Sequence, residues 1–255
     1  MARWPFSLEM RIKGLLILLV VLALGVCAIP LRAQFRRSVA TVIRIMNAKK
    51  TTSDRVAQYG DAARTRLAPK FAKLKVAYPP RRVTLVGLKA ERTLQVWVSG
   101  EDGTWQHLRD YPILGLSGLL GPKLKEGDKQ VPEGLYRLES LNPNSLYHLA
   151  LRVNYPNSQD RQWGKQDGRA ELGSDIMIHG KTCSIGCLAM GDEAAEDLFV
   201  LAAEAGIDNV AIVIAPVDFR TRDLPVQMPT LPTWTGELYE TIKQELQKLG
   251  RPTRS

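Results

Sequence analysis

The chain has 255 residues, of which 45% are hydrophobic and 24% are charged, a composition that excludes a disordered or collagen-like protein. Its formal net charge of +9 at pH 7 favours an anionic environment such as phospholipid, cell-wall polymer or nucleic acid, although a solvated basic surface explains the charge most simply. The sequence contains no zinc knuckle, nucleic-acid helix motif or aromatic-studded basic sheet, so we expect no nucleic-acid partner.

The N-terminal 33 residues combine basic flanks with one apolar run. The run covers 14–29 and is followed by Pro30 and Arg32. This pattern predicts a signal peptide or signal anchor over 1–33 and disfavours a buried core helix. We therefore expect an exported protein, periplasmic or extracytoplasmic. The segment is expected either to anchor the protein to the inner membrane or to be removed by cleavage.

Residues 34–78 have the composition and apolar spacing of helices. Thr51 to Asp54 is typical of a helix N-cap, and Pro69 is expected to interrupt the helical region. The pattern predicts a helical linker, as a stalk or, as the alternative to a stalk, a helix packed on the domain; a segment lying on the membrane surface is less favoured than either. We place the domain boundary near Tyr78, before Pro79 and Pro80.

A β-rich domain is predicted over 79–219, with a C-terminal extension over 220–255. Strands are expected at 82–87, 94–98, 105–113, 135–138, 146–153 and 210–214, and helices at 192–206 and 236–249. Asp192 is the predicted cap of the first of these helices. Residues 115–132, rich in Gly, Pro and Lys, and the polar residues 155–170 are predicted to be loops.

The candidate catalytic residues lie in one stretch of the sequence, 174–190. A short apolar run is followed by His179 and Gly180 at a predicted turn, and Ser184 to Cys187 come within eight residues of His179. A thiol needs a nearby base or positive field to act as a nucleophile, and His179 is suited to be that base. Backbone N–H groups from Ser184 to Cys187, with Gly186 allowing close approach, are suited to hold an oxyanion. The pattern predicts cysteine acyl-transfer chemistry.

Other interpretations of the same residues remain open. Cys183 and Cys187 could form a local disulfide, or join His179 at a metal site, although the sequence lacks the second pair of ligands that a structural metal site needs. His107 is expected to be structural. His148 is expected to pack on a strand, with a groove-lining role as the alternative.

The motifs Ile178-His179-Gly180 and Ser184-Ile185-Gly186-Cys187 resemble those of the YkuD-type L,D-transpeptidase catalytic domain, in its YafK-like branch. The stretches 121–136, 142–145 and 154–157 add to the resemblance, which spans roughly 79–219. It implies a mixed α/β, β-rich fold of the YkuD-type β-sandwich class. It also implies Cys187 as the nucleophile, His179 as its base, and Ser184, Gly186 and Gly180 as oxyanion or loop support.

The same resemblance implies substrates and competing activities. The substrates would be peptidoglycan stem peptides, and no metal or organic cofactor would be needed. Some members of that branch resemble hydrolases that release a wall-linked lipoprotein, so hydrolysis of a diaminopimelate-linked amide is an alternative to transfer. Ile185 and Ala189 depart from the histidine and arginine of the wider family, and a non-catalytic peptidoglycan-binding module is the third hypothesis.

Overall fold

The computed structural model describes residues 49–252 of the chain, which contain nine strands and four α-helices. The strands are β1 (Arg82–Leu88), β2 (Thr93–Ser99), β3 (Trp105–Pro112), β4 (Gly115–Leu116), β5 (Gly134–Asn142), β6 (Ala150–Val153), β7 (Met177–His179), β8 (Leu188–Ala189) and β9 (Val210–Ala215). The helices are α1 (Thr52–Leu74), α2 (Ser158–Gln166), α3 (Asp192–Ala205) and α4 (Thr235–Leu249).

All nine strands belong to one sheet in the order β3-β2-β1-β9-β5-β6-β7-β8-β4. Only β1 with β9 and β7 with β8 pair in parallel among these strands. β5 joins the two halves, because Gly134–Arg137 pairs with β9 and Leu138–Asn142 pairs with β6 across a register irregularity. Such irregularities bend a strand. The mixed, β-rich class is confirmed, while the expected sandwich is one continuous, curled sheet.

Helices cover both faces of the half-sheet formed by β1, β2 and β9. Side chains of α1 and α3 share one apolar core with alternate residues of these strands, including Leu85 and Val96. Side chains of α4, such as Ile242 and Leu246, share a second core with the residues that face the other way, including Val86 and Val213. Burial on both faces explains why six consecutive residues of β1 are buried.

The first helix, α1, is a packed element of this domain. Its buried residues, Gly60, Ala63, Leu67 and Phe71, recur every three or four positions and so lie on one face. The structure therefore has the packed helix that was the alternative to a stalk, and the boundaries of the domains stay a prediction. Pro69 does not interrupt the helix, because the core contacts of its buried face outweigh the one backbone hydrogen bond that proline removes.

A fully buried carboxylate ties α1 to the rest of the domain. Asp197 of α3 has no exposed surface, and it accepts hydrogen bonds of 2.7 Å from both Arg66 Nε and the Tyr111 hydroxyl. Arg109 forms a further ion pair with the same carboxylate. Because a buried charge is tolerated only when it is paired and hydrogen-bonded, this cluster fixes α1, α3 and β3 relative to one another.

Two predictions for the middle of the chain were wrong. The predicted loop 155–170 contains helix α2, which begins with a capping box in which the Asn157 and Asp160 side chains each accept from the other's backbone N–H. Trp163 of this helix stacks on Trp234 with ring centroids 4.4 Å apart. The strand predicted over 146–153 is assigned only from Ala150 to Val153, because a tight turn with His148 at φ 75° precedes it.

The predicted signal segment over 1–33 and the first part of the predicted linker lie outside the described residues. Within 49–252, none of the helices is long and apolar enough to span a bilayer.

Replacement of Leu67 by alanine tests whether α1 belongs to the folded domain. Leu67 is 1% exposed, so Leu67→Ala should lower the free energy of unfolding by about 2–5 kcal/mol, through lost burial and the cavity left behind. Lys73→Ala, on the exposed side of the same helix, should change it by less than about 0.5 kcal/mol. Urea denaturation measures both values, and equal stabilities of the two variants would show that α1 is not integral to the fold.

Candidate active site

The parallel pair β7 and β8 positions the predicted nucleophile and base. In its register, Ile178 lies opposite Leu188 and His179 opposite Ala189. Cys187 immediately precedes β8 and is therefore level with Met177, two residues before His179. Side chains two apart along neighbouring strands share one face, about 7 Å apart along the strand and 5 Å across. By these spacings the register places the two predicted catalytic residues on neighbouring strands, about 9 Å apart from Cα to Cα.

The connection between these strands is unusually short for a parallel pair. Only eight residues, 180–187, join β7 to β8, whereas parallel crossovers ordinarily need a dozen or more. The backbone accommodates this with left-handed conformations at Lys181, φ 59°, and Gly186, φ 91°. The glycine at 186 therefore has a conformational cause, since most residues avoid positive φ.

His179 is buried at 3% exposure and has a fixed tautomer. Its Nδ1 lies 2.6 Å from the Gly180 carbonyl oxygen. A carbonyl can only accept, so Nδ1 carries the proton and Nε2 keeps the lone pair that a general base needs. Burial lowers the pKa of His179 below its usual 6.5, against the opposing effect of the Gly180 carbonyl. The imidazole is therefore neutral at neutral pH.

Cys187 is a half-buried free thiol. Its Sγ donates to the Asp175 carbonyl oxygen at 3.6 Å, and within 49–252 no hydrogen bond joins Sγ to His179. Burial raises the pKa of Cys187 above its usual value of 9.0; a hydrogen bond from the Met177 backbone and the charge of Lys123 oppose this, and Asp175 adds to it. The resting site therefore pairs a neutral thiol with a neutral imidazole, a pair that often tightens only with substrate.

Two of the predicted oxyanion donors, the N–H groups of Gly186 and Cys187, are already hydrogen-bonded to serine hydroxyls. Cys187 N–H donates to Ser184 Oγ at 3.0 Å, and that hydroxyl donates to the Cys187 carbonyl oxygen at 2.5 Å. Gly186 N–H donates to Ser117 Oγ at 2.6 Å, and Ser117 donates onward to the Lys129 carbonyl. An oxyanion at either N–H would have to displace a hydroxyl, so the oxyanion role of this turn stays a prediction.

Gly180 has a packing role in the turn after His179. A Cβ at Gly180 would lie 2.7 Å from Asp192 Oδ1 and 2.8 Å from the Tyr147 carbonyl oxygen. Asp192 accepts from both the backbone N–H and the Nζ of Lys181, at 2.8 and 2.7 Å. The prediction that Asp192 caps α3 was wrong, because Gly191 is the N-cap and the carboxylate is turned toward Lys181.

Loop 115–132, which carries Ser117, is anchored by a buried ion pair. Lys89 Nζ lies 2.9 Å from Glu133 Oε1, with both side chains fully buried, and it also donates to the carbonyls of Gly121 and Val131. Glu133 in turn accepts from Gly121 N–H and from the Tyr239 hydroxyl, both at 2.7 Å. Since these groups are satisfied, the pair fixes the loop against β1 and α4.

Sequence reasoning missed the aromatic residue that packs on the base. The ring of Tyr147 lies on His179 with centroids 4.7 Å apart, and Tyr147 is 42% exposed. Its neighbour His148, the residue that the sequence singled out, instead hydrogen-bonds Glu196 at 3.0 Å. A strand assignment assumes that side chains alternate between the two faces, and the tight turn at His148 breaks this alternation. The sequence around Tyr147 therefore gave no indication that its ring packs on His179. His107 is buried and bonds Asp110, as a structural histidine does.

The other residues of the motif occupy contrasting environments. Ile185 is 73% exposed, whereas Ala189 is fully buried in β8. Cys183 is exposed, and like Cys187 it is a free thiol in this structure. Within 49–252, no three His, Cys, Asp or Glu side chains come together as a metal site.

Comparison with known proteins identifies the family. The model of the YkuD L,D-transpeptidase catalytic domain matches residues 81–214. The chain belongs to this family. It is also 38% identical over 141 residues to YafK, an L,D-transpeptidase candidate of Escherichia coli (strain K12), and equally to YafK of Escherichia coli O157:H7. The match covers 53% of this chain and 53% of YafK, so the chain spans about half the length of the curated relatives it matches.

Solved structures with local similarity to this chain include the following two. The helical cell shape determining protein Pgp2 from Campylobacter jejuni is 25% identical, with a TM-score of 0.42, over 52% of this chain and 47% of that one. L,D-transpeptidase 1 of Mycobacterium tuberculosis is 18% identical, with a TM-score of 0.31, over 52% and 62% of the two chains.

Alkylation of Cys187 tests whether its thiol is neutral in the resting protein. Because the pKa of Cys187 is raised above 9.0, its reaction with iodoacetamide should be slow near neutral pH and should accelerate only above about pH 9. Peptide-level mass spectrometry measures the rate against pH. The same cysteine in the denatured protein is the control and should react readily near its ordinary pKa. A rate for the folded protein that is already maximal at about pH 7 would indicate a resting thiolate instead.

Proposed function

We propose that this family member catalyses cysteine-dependent acyl transfer on peptidoglycan stem peptides. The observation that supports the proposal is the strand register, in which Cys187 lies two positions from His179 on the neighbouring strand, and His179 Nε2 is left free to act as a base. Nucleophilic acyl transfer needs a thiol and a base that can meet in the substrate complex, and a tautomer fixed by Gly180 supports His179 as that base.

The first half-reaction breaks an amide bond and forms a thioester. As Cys187 Sγ attacks the carbonyl carbon, its proton passes to His179 Nε2. The resulting imidazolium then gives this proton to the departing amine as the tetrahedral intermediate collapses. Because the resting thiol is neutral, proton transfer accompanies attack, and His179 acts as a general base and then as a general acid.

The second half-reaction decides between transferase and hydrolase. An acceptor amine restores an amide, and water releases a free carboxylate; in either case His179 takes the proton of the acceptor and returns it to Cys187. The exposure of Cys183 and Ile185, on the short connection before Cys187, is the observation that favours access of water. Hydrolysis of a diaminopimelate-linked amide, such as a link to a lipoprotein, is therefore our second candidate.

We also propose that the protein works outside the cytoplasm, attached to or exported through the membrane by its N-terminal segment. The apolar run at 14–29 with its basic flanks supports this proposal, as does the location of the proposed substrate.

Intact-mass analysis tests the proposal. Reduced, full-length protein is incubated with stem peptides that carry a diaminopimelate-linked amide. Wild type should form a covalent adduct with the mass of the acyl group, and Cys187→Ala should form none. Cys183→Ala is the matched control, since it removes the neighbouring free thiol, and it should form the adduct as wild type does.

The released product separates the candidates. Transfer of the acyl group to an added amine supports the transferase, and a free carboxylate supports the hydrolase. Absence of both adduct and turnover, with both thiols shown to be free, would overturn the catalytic proposal for these substrates and favour a binding module.

The pH profile tests the role of His179. Burial lowers the pKa of His179 below 6.5, and the neutral imidazole is the active form. The value of kcat/KM should therefore stay constant as pH falls from about 8 and reach half its maximum only below pH 6.5. His107→Gln, which changes a histidine bonded to Asp110, should leave this profile unchanged. A half-maximal point above about pH 7.5 would contradict the assignment of His179 as a buried base.

A further inference from the structure

A cavity of about 630 Å³ is lined by residues of α2 and of the chain that leads to β7. Ser174 lies in its wall, and the next residue, Asp175, provides the carbonyl oxygen that accepts from Cys187 Sγ. Charged residues of the lining are Arg161, Lys165, Arg169, Glu126 and Glu171. The segment Ser174–Asp175 therefore connects the cavity to the nucleophile, and the cavity is lined by both signs of charge.

The cations line the side of the cavity formed by α2 and the residues after it. Arg161 and Lys165 are four residues apart on α2 and so share a face of the helix. Among residues 49–252, neither takes part in an ion pair. Arg169 is held in place, since it bonds Asp167 at 2.8 Å and donates to the Leu124 carbonyl at 2.8 Å. Two cations are thus free to meet a ligand beside a third that is fixed.

The carboxylates come from two other segments. Glu126 belongs to loop 115–132, and Glu171 belongs to the extended chain that leads to β7. The backbone holds them near each other, because Glu126 N–H donates to the Glu171 carbonyl oxygen at 2.9 Å. In the described part of the chain, no ion pair links either carboxylate to the cations across the cavity. No ion pair across the cavity therefore competes with a ligand for these described side chains.

We propose that this cavity binds a zwitterionic amino-acid group, with its carboxylate toward Arg161 and Lys165 and its ammonium toward Glu126 and Glu171. A diaminopimelate residue of a stem peptide offers both groups on one carbon. From this cavity, the peptide passes Ser174 to reach Cys187. The inference rests on the proposed function in naming that peptide, and it assigns the cavity as the subsite that selects it.

Isothermal titration calorimetry on the full-length Cys187→Ala protein tests the subsite without any chemistry. The ligand is the soluble tripeptide L-Ala-γ-D-Glu-meso-diaminopimelate. Adding Arg161→Gln and Lys165→Gln should raise Kd about fivefold to tenfold, because two solvent-accessible charge contacts are lost, and the difference should shrink at high salt. Lys70→Gln with Lys73→Gln removes the same charge from α1 and should leave Kd unchanged.

Blocked ligands test the two halves of the zwitterion separately. Amidation of the free diaminopimelate carboxylate should weaken binding to the parent protein and abolish the effect of the α2 substitutions. Acetylation of its free amine should weaken binding and abolish the effect of Glu171→Gln. Equal affinity for blocked and unblocked peptides, equal Kd for the α2 variant and its parent, or no measurable binding to the parent would each overturn the subsite.

These results are distinguishable from failure of the proposed function. Binding that depends on Arg161 and Lys165, together with no covalent adduct on wild type, would retain the subsite and reject catalysis. An adduct on wild type, together with affinity independent of those residues, would retain catalysis and reject the subsite.

Discussion

The parallel pairing of β7 with β8 is the constraint on which the candidate site depends. It sets His179 opposite Ala189, and it thereby fixes how far Cys187 lies from the base. Because only eight residues close this connection, the turn between the strands has little conformational freedom. The left-handed Gly186 and the close packing of Gly180 against Asp192 follow from that short path.

Buried polar contacts hold the surroundings of this turn in place. The Lys89–Glu133 pair secures loop 115–132, which in turn sets Ser117 against Gly186 N–H. These contacts come from elements far apart in sequence, so the turn is supported from the sheet, from the loop and from α4 together. The backbone of a turn supported on several sides in this way is fixed by the rest of the domain.

Burial sets the protonation states of the reactive pair. It disfavours the charged forms of both His179 and Cys187, lowering one pKa and raising the other. A neutral pair differs from a preformed thiolate and imidazolium, because the charge develops only as the thiol attacks. A thiol held neutral in this way reacts slowly with electrophiles until a base removes its proton.

The sequence by itself determined the strands with clear alternation, the helix at 192–206 and the family, and it is the source of the prediction that Cys187 and His179 are the catalytic pair. These depend on local periodicity and on motifs whose residues are close in the chain. It did not determine that α1 packs on the domain, that Tyr147 lies on His179, or that Ser117 engages Gly186. The capping residues Asn157 and Asp160 indicate the start of α2, but the polar composition of 155–170 led to the prediction of a loop. Only the tertiary structure decides such features, since they arise from contacts between residues whose separation along the chain carries no periodic signal.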